Sequence, residues 1–317
     1  MRALVTGGAG FIGSNLVDAL LDRGDEVLVI DNLATGKREN LTAALSRGAG
    51  FEEADIRDAD RMRSVFAAAR PDIVFHLAAQ IDVRKSIEDP AWDASVNVGG
   101  TINVLEAARH SGVARVVNTS TGGAIYGEVE TIPTPESVTP RPIAAYGTSK
   151  LCAETYCGLY ERLYGLSAVT VRYGNVYGPR QDPLGEAGVI AIFCGKLMSG
   201  ERPTIFGDGR QTRDYVYVAD VVGANLAAAE HPEAHGVYNI GTGRESSVLE
   251  VLASLRRAGG LDEDALQPEF APARLGELQR SALDISRARV ELGFTAEADL
   301  DDGMARTLEW ARAAAAA

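Results

Sequence analysis

The chain is poor in the residues that build metal centres and disulfide frameworks. Cysteine occurs three times in 317 residues, at Cys152, Cys157 and Cys194, and histidine four times, at His76, His110, His231 and His235. The odd cysteine count without a Cys-x-x-Cys argues against a disulfide framework, and neither residue type falls at zinc-ligand spacing. Three separate buried thiols in a reducing compartment is the reading that remains. No apolar run approaches the roughly 20 residues of a membrane-spanning helix, and the N-terminus opens directly on an apolar strand pattern. These features predict a cytoplasmic protein without a targeting segment. Basic residues are also scarce: 31 Lys and Arg against 44 Asp and Glu give a formal charge of −13. That disfavours nonspecific binding to nucleic acid or an anionic membrane, and an anionic ligand would need local arginines or lysines.

With 46% hydrophobic and 24% charged residues, the composition is that of a soluble globular protein, long enough for two domains or for one with an elaborated lobe. Short apolar runs at 2–6, 26–30, 73–77, 115–118 and 168–172 read as strands, and helical periodicity fits 58–69, 91–111 and 144–164. This alternation predicts an α/β fold, a Rossmann-type doubly wound parallel sheet with ligands at the strand C-termini. After Gly174 glycine and proline become denser, which predicts a smaller α/β substrate-binding lobe. A later run, Gly236–Ile240, could return to the main sheet. The expected division is a dinucleotide-binding part at 1–173, rejoined by about 214–242, and a lobe at 174–213 and 243–317.

Two motifs carry chemistry. Thr6-Gly7-Gly8-Ala9-Gly10-Phe11-Ile12-Gly13 lies between the first strand and an amphipathic run, which is the context a dinucleotide-binding turn requires. Gly7 allows the tight turn, Gly10 lets backbone approach a pyrophosphate, and Gly13 permits close helix-to-strand packing. The second strand ends in Asp31, 18 residues after Gly13. A carboxylate there accepts both ribose hydroxyls and repels a 2′-phosphate, so the cofactor expected is NAD rather than NADP. The second motif is Tyr146-Gly147-Thr148-Ser149-Lys150. On a helix its ends share one face, one turn apart. A free phenol titrates near pH ~10, and a fixed cation a few Å away favours phenolate. Tyr146 is therefore the candidate general base.

Further strings follow in order: Asp55-Ile56, His76-Leu77-Ala78-Ala79-Gln80, Asn97-Val98-Gly99-Gly100-Thr101, Ser120 to Gly127, and Arg172 to Arg180. With them, nearly the whole chain resembles the extended short-chain dehydrogenase/reductase family, and within it the UDP-galactose 4-epimerases. The resemblance implies NAD contacts from Gly7, Gly10, Phe11, Ile12, Gly13, Asp31 and Asn32. It places Asp55 and Ile56 at the adenine, Leu77, Ala78, Ala79 and Gln80 along the pyrophosphate side, and Asn97 and Tyr173 nearer the nicotinamide half. Lys150 would bond the nicotinamide ribose beside Tyr146. A third catalytic hydroxyl is implied as well. Counted from the preceding strand it is Thr121. Counted back from Tyr126 the position falls on Gly122, because the loop is one residue longer than the common form, so Thr121 is expected with Ser120 as the alternative. The related sugar-nucleotide dehydratases carry an Asp-Glu pair after this threonine, where Gly122 and Gly123 stand here, which argues against dehydration.

The resemblance also implies a clamp for a UDP-sugar substrate: Asn175, Arg213 and Arg274 on the diphosphate, Glu277 on the uridine ribose, and Thr204, Ile205 and Phe206 beside uracil, with Val189 and Ile190 supplying backbone contacts. Guanidinium groups suit phosphate because their fork donates paired, charge-assisted hydrogen bonds. Ser281 occupies the position that limits room near C2 of the sugar, and a small residue there admits N-acetylated sugars. The expected activity is NAD-dependent C4 epimerisation of UDP-glucose and UDP-galactose through a 4-keto sugar, with the UDP-GlcNAc/UDP-GalNAc pair as a possible second activity. UDP-glucuronate epimerisation, with Arg180 as the cation for the C6 carboxylate, and a noncatalytic NAD-binding sensor are the alternatives. The resemblance further implies a homodimer through the helices near 91–111 and 144–164.

Overall fold

The structure is a computed structural model that describes residues 1–183, 188–262, 264–274 and 278–316. Its centre follows the apolar runs of the sequence. Arg2–Thr6 forms β1, its last four residues buried. Phe11–Asp22 forms α1, burying Leu16, Val17 and Leu20. Glu26–Asp31 is β2, Gly50–Glu53 is β3, and Ala59–Ala69 is α2, capped by the Asp58 side chain. Ile73–His76 is β4 and Thr101–Ser111 is α3. Arg115–Thr121 is β5, Ala145–Tyr164 is α4, Ser167–Tyr173 is β6, Val218–Glu230 is α5, and Gly236–Ile240 is β7.

These strands form one sheet in the order β3-β2-β1-β4-β5-β6-β7, and every neighbouring pair is parallel. The doubly wound Rossmann-type sheet expected from the sequence is therefore present. α1 and α5 cover one face, while α2, α3 and α4 cover the other. A sheet covered on both faces reads as continuous apolar runs rather than alternation. The strand order reverses between β1 and β4, which opens a crevice at their C-terminal ends.

The helix expected at 91–111 is interrupted. Pro90–Ala94 is α-helical, Ser95–Gly100 is π-helical, and α3 follows without a break. The wider turn goes with a side chain in place of regular packing: Asn97 exchanges hydrogen bonds with the Gln80 backbone, donating to its carbonyl and accepting from its N–H, both at 2.9 Å. Such π segments are frequent at functional sites.

Beyond β6 the chain builds a second core. Asn175–Tyr177 pairs in parallel with Tyr215–Tyr217, and Thr204–Phe206 with Glu269–Ala271. Phe193, Ile205, Leu252, Leu255, Met304 and Leu308 pack together there. Phe11 and Ile12 of α1 also touch this core, so the glycine turn lies where the two cores meet. Among the described residues no helix is long and apolar enough to cross a membrane.

Candidate functional site

At the end of β1 the turn depends on absent side chains. Gly7 has φ +71°, and a Cβ there would lie 2.6 Å from the Ala78 nitrogen. A Cβ on Gly13 would lie 2.2 Å from the Gly7 oxygen, and one on Gly10 3.2 Å from it. The loop after β4 therefore presses directly on the turn. Gly10 caps α1 without a side chain, and the first turn of α1, which includes Phe11 and Ile12, contains no acidic residue. Its backbone N–H groups remain available to an anion.

Asp31 is buried at the end of β2. Its Oδ2 accepts from the Ala9 N–H at 2.9 Å and its Oδ1 from the Leu33 N–H at 2.8 Å. Burial pushes its carboxyl up, and these two bonds pull the other way. Each oxygen keeps a lone pair, and Gly36 leaves room beside both: a Cβ there would stand 2.9 Å from each. Asn32 donates to Asp55 at 3.0 Å, so these two expected cofactor residues lie together. The Arg57 side chain is the main cause that holds Asp55 down to about 2. The Ile56 side chain serves the core against Gly100.

On α4, Tyr146 and Lys150 share a face one turn apart. The Tyr146 phenol faces the Thr121 hydroxyl at the end of β5, which favours the phenolate, and Thr121 accepts from the Ala124 N–H at 3.2 Å. Ser120 is 3% exposed and its Oγ has no hydrogen-bond partner. Of the two alternatives, then, Thr121 is the one that meets the phenol. The electrostatics depart from expectation. Burial pushes Tyr146 up to about 12, with Asp93 adding to the rise and the Thr121 bond opposing it. Burial likewise pushes Lys150 down to about 8, against Glu154, Cys157 and Asp93. The expected pull of Lys150 on the phenol is overridden because lost hydration penalises the charged form of each group, and the charge that acts on the phenol is that of Asp93.

The loop after β4 is braced from below. Leu77 donates to the Thr6 carbonyl at 3.1 Å and Ala78 to the Thr6 hydroxyl at 3.3 Å. The Gln80 side chain donates to the Asp82 carbonyl at 2.9 Å and to Asp93 Oδ1 at 2.8 Å. Asn97 donates to that same oxygen at 3.1 Å. Gln80 and Asn97 thus hold each other and shape the path of Leu77, Ala78 and Ala79. Tyr173, expected beside the cofactor, sends its phenol the other way. It lies 3.2 Å from the Thr119 hydroxyl and 2.9 Å from Asn225 Oδ1 on α5, because position 173 falls on the α5 face of the sheet.

The second lobe faces this arrangement. Asn175 Oδ1 lies 3.6 Å from where a Gly123 Cβ would be, directly beside the hydroxyl loop. The Arg274 guanidinium stacks 4.0 Å above the Phe206 ring. Ile205 corrects the expectation for its segment: it is 1% exposed within the second core, because alternation along a strand sends it opposite to Thr204 and Phe206. Arg213 ends the short strand Thr212–Arg213, which pairs with Ser246–Ser247. Val189 and Ile190 open the helix Val189–Ser199; Ile190 is 1% exposed in the second core. Ser281 is partly buried and adjoins the stretch in which Leu283 packs on Gly122. Arg180 is held on α1 by Asp18 at 2.5 Å, so it is committed away from any sugar carboxylate. Glu277 lies outside the described residues.

One further contact has little signature in the sequence. Ser86, fully buried on Val83–Glu88, accepts the Tyr146 N–H at 3.0 Å. The only hint is Ala144, a weak residue for the N-cap position it occupies. Among the described residues no group of His, Cys, Asp or Glu is arranged to hold a metal ion.

Comparison with known proteins agrees with this geometry. Residues 3–241 match the NAD dependent epimerase/dehydratase family. The chain is 47% identical to a UDP-glucose 4-epimerase of Mycolicibacterium smegmatis, over 98% of this chain and 99% of the relative. It superposes with a TM-score of 0.94 on the Thermotoga maritima UDP-glucose 4-epimerase with UDP-glucose, at 46% identity over 99% of this chain and 100% of the other. For the Thermus thermophilus UDP-glucose 4-epimerase in complex with NAD the TM-score is 0.91, at 45% identity over 99% of this chain and 100% of the other.

Proposed function

The chain belongs to the NAD dependent epimerase/dehydratase family, and from that membership we propose that it interconverts UDP-glucose and UDP-galactose at C4 through a 4-keto sugar. The observation that carries this reading is the grouping of a buried Lys150 with the partly exposed Tyr146 and Thr121 at the open end of the sheet, opposite a glycine cradle. The likeness to structures holding UDP-glucose and NAD supports it.

The residues present fit NAD. A Cβ would fill the cradle at Gly7 and Gly13, the start of α1 is bare of acid, and Asp31 offers two oxygens suited to ribose hydroxyls. In this reading Gly7, Gly10 and the first turn of α1 hold the pyrophosphate, and Asp31, Asn32 and Asp55 the adenosine. Bound there, NAD supplies hydride acceptance from C4 and its return, and adds a positive charge beside the phenol. Tyr146 takes the proton of the 4-hydroxyl, with the Thr121 hydroxyl orienting the same oxygen. Lys150 opposes the negative charge that develops on the phenol. Asn175, Arg213 and Arg274 hold the diphosphate, with Glu277 on the uridine ribose and Thr204, Phe206 and Val189 near uracil. Anchoring through UDP leaves the hexose free to turn its other face to the cofactor before Tyr146 returns the proton.

We read residues 1–173 with about 214–242 as the dinucleotide-binding part and 174–213 with 243–317 as the sugar-nucleotide lobe. We also place the protein in the cytoplasm, where the free thiols suit the redox state, Cys157 and Cys194 buried as expected and Cys152 exposed against expectation, and as a homodimer. The deciding experiment incubates the purified, NAD-loaded protein separately with UDP-galactose, UDP-GalNAc and UDP-galacturonate, with products followed by NMR. UDP-glucose from the first supports the proposal. UDP-GlcNAc from the second would assign Ser281 the permissive role. NAD binding without turnover of any of the three would refute the epimerase reading and favour a sensor.

A further inference from the structure

Asp93 lies on the short helix Pro90–Ala94, beneath the loop that follows β4, and its side chain is completely buried. Its Oδ1 accepts two amide N–H groups, from Gln80 at 2.8 Å and Asn97 at 3.1 Å. Its Oδ2 is buried without a hydrogen-bond partner. An amide side chain could accept the same two bonds, yet the position holds a carboxylate. A buried carboxylate with one oxygen unsatisfied is costly relative to a neutral group of the same shape. Such a group calls for an explanation beyond packing.

We propose that Asp93 is a positioning residue of this site: one oxygen fixes Gln80 and Asn97, and the other, buried without a partner on the helix packed against α4, presents a negative charge to the Tyr146–Lys150 pair. The proposal rests on the epimerase reading for its consequence in turnover, but not for its electrostatics. Three groups act on Lys150 by charge besides its burial: Glu154 and Cys157 on its own helix, and Asp93 from the neighbouring one. Glu154 is already neutralised by Arg172, which donates to both of its oxygens at 2.9 and 2.6 Å. Cys157 is buried as a thiol, pushed up to about 12. His76 faces Lys150 from β4 but is neutral, pushed down to about 3 by burial and by Lys150 itself. Asp93 has amide partners only, and it is also the charge that acts on Tyr146, whose other partner is the Thr121 hydroxyl. Asp93 is thus the one uncompensated charge common to both members of the pair.

The sign is the same for both. Removing the charge lowers the proton affinity of phenol and ammonium alike. The test is Asp93→Asn, which keeps an oxygen to accept from Gln80 and Asn97. The chain contains only four lysines, so [¹³Cε]lysine NMR resolves Lys150, assigned by its loss in Lys150→Met. The midpoint of Lys150 should fall below about 8 in Asp93→Asn, and the acidic limb of the kcat/KM profile of the NAD-loaded enzyme should move the same way. An unchanged Lys150 midpoint would overturn the proposal and leave Asp93 a packing residue. If Asp93→Asn does not fold, Asp93→Ser is read by the same titration with the same two outcomes. A wild-type protein that turns over no sugar nucleotide refutes the epimerase reading alone, since the Lys150 titration needs no substrate.

Discussion

Tyr146 and Lys150 show how burial changes what a motif means. The spacing identifies both residues, yet the protein holds the phenol up at about 12 and the ammonium down at about 8. Each is pushed toward its neutral form by burial, and in the proposed reading a cationic cofactor beside the phenol would favour its charged form. Tyr146→Phe should lower kcat by about 10²–10⁴-fold with bound NAD unchanged, measured by turnover and by nucleotide content. Wild-type kcat would refute its role. Lys150 also carries a stability consequence. Between its folded value of about 8 and its ordinary value of 10.5, the unfolded chain binds a proton that the folded chain has released, so stability contributed by this residue rises with pH across that window. Lys150→Met should remove that slope and raise the thermal midpoint at neutral pH by a few degrees, checked by calorimetry, while turnover is lost.

At the scale of elements, α4 is placed by contacts that its own sequence does not contain. Its N-cap is Ala144, and Ser86 from another helix supplies the missing acceptor to the Tyr146 N–H. Ser86→Ala should cost about 0.5–2 kcal/mol, read from urea unfolding, and should lower kcat more than it raises KM because Tyr146 loses its anchor. One turn beyond Lys150, Glu154 is paired through both oxygens with Arg172 of β6, and Arg172 also donates to the Tyr126 hydroxyl at 2.7 Å. Glu154→Gln leaves a buried guanidinium without its anion. The expected loss is about 3–5 kcal/mol, and an unchanged unfolding midpoint would show that the pair does not hold α4 to the sheet. β3 and the π-helical turn were the least legible elements. Gly50-Phe51-Glu52-Glu53 contains a single apolar side chain and becomes a strand by pairing with β2. The π turn at Ser95–Gly100 accompanies Asn97 engaging a residue 17 positions away.

At the scale of the molecule, Ile87, Trp92, Leu163 and Tyr164 remain exposed, on the helices Val83–Glu88 and Pro90–Ala94 and on α4. Large apolar side chains on adjoining helices suit a subunit interface. Sedimentation should therefore give a dimer for the wild type, and Trp92→Glu with Leu163→Glu should shift it to monomer; a monomeric wild type would remove the homodimer from the proposal. The central sheet, the glycine turn, Asp31 and the Tyr146–Lys150 spacing were legible in the sequence because each depends on local periodicity or on backbone space that only glycine leaves. What the tertiary structure decided is where buried side chains point and what burial does to their charge. It sends Tyr173 and Ile205 into the cores, commits Arg180 to Asp18, brings Thr121 rather than Ser120 to the phenol, and buries Asp93 on a helix packed against α4. Residue spacing encodes neither packing partners nor local hydration, and both arise only once distant segments have closed over one another.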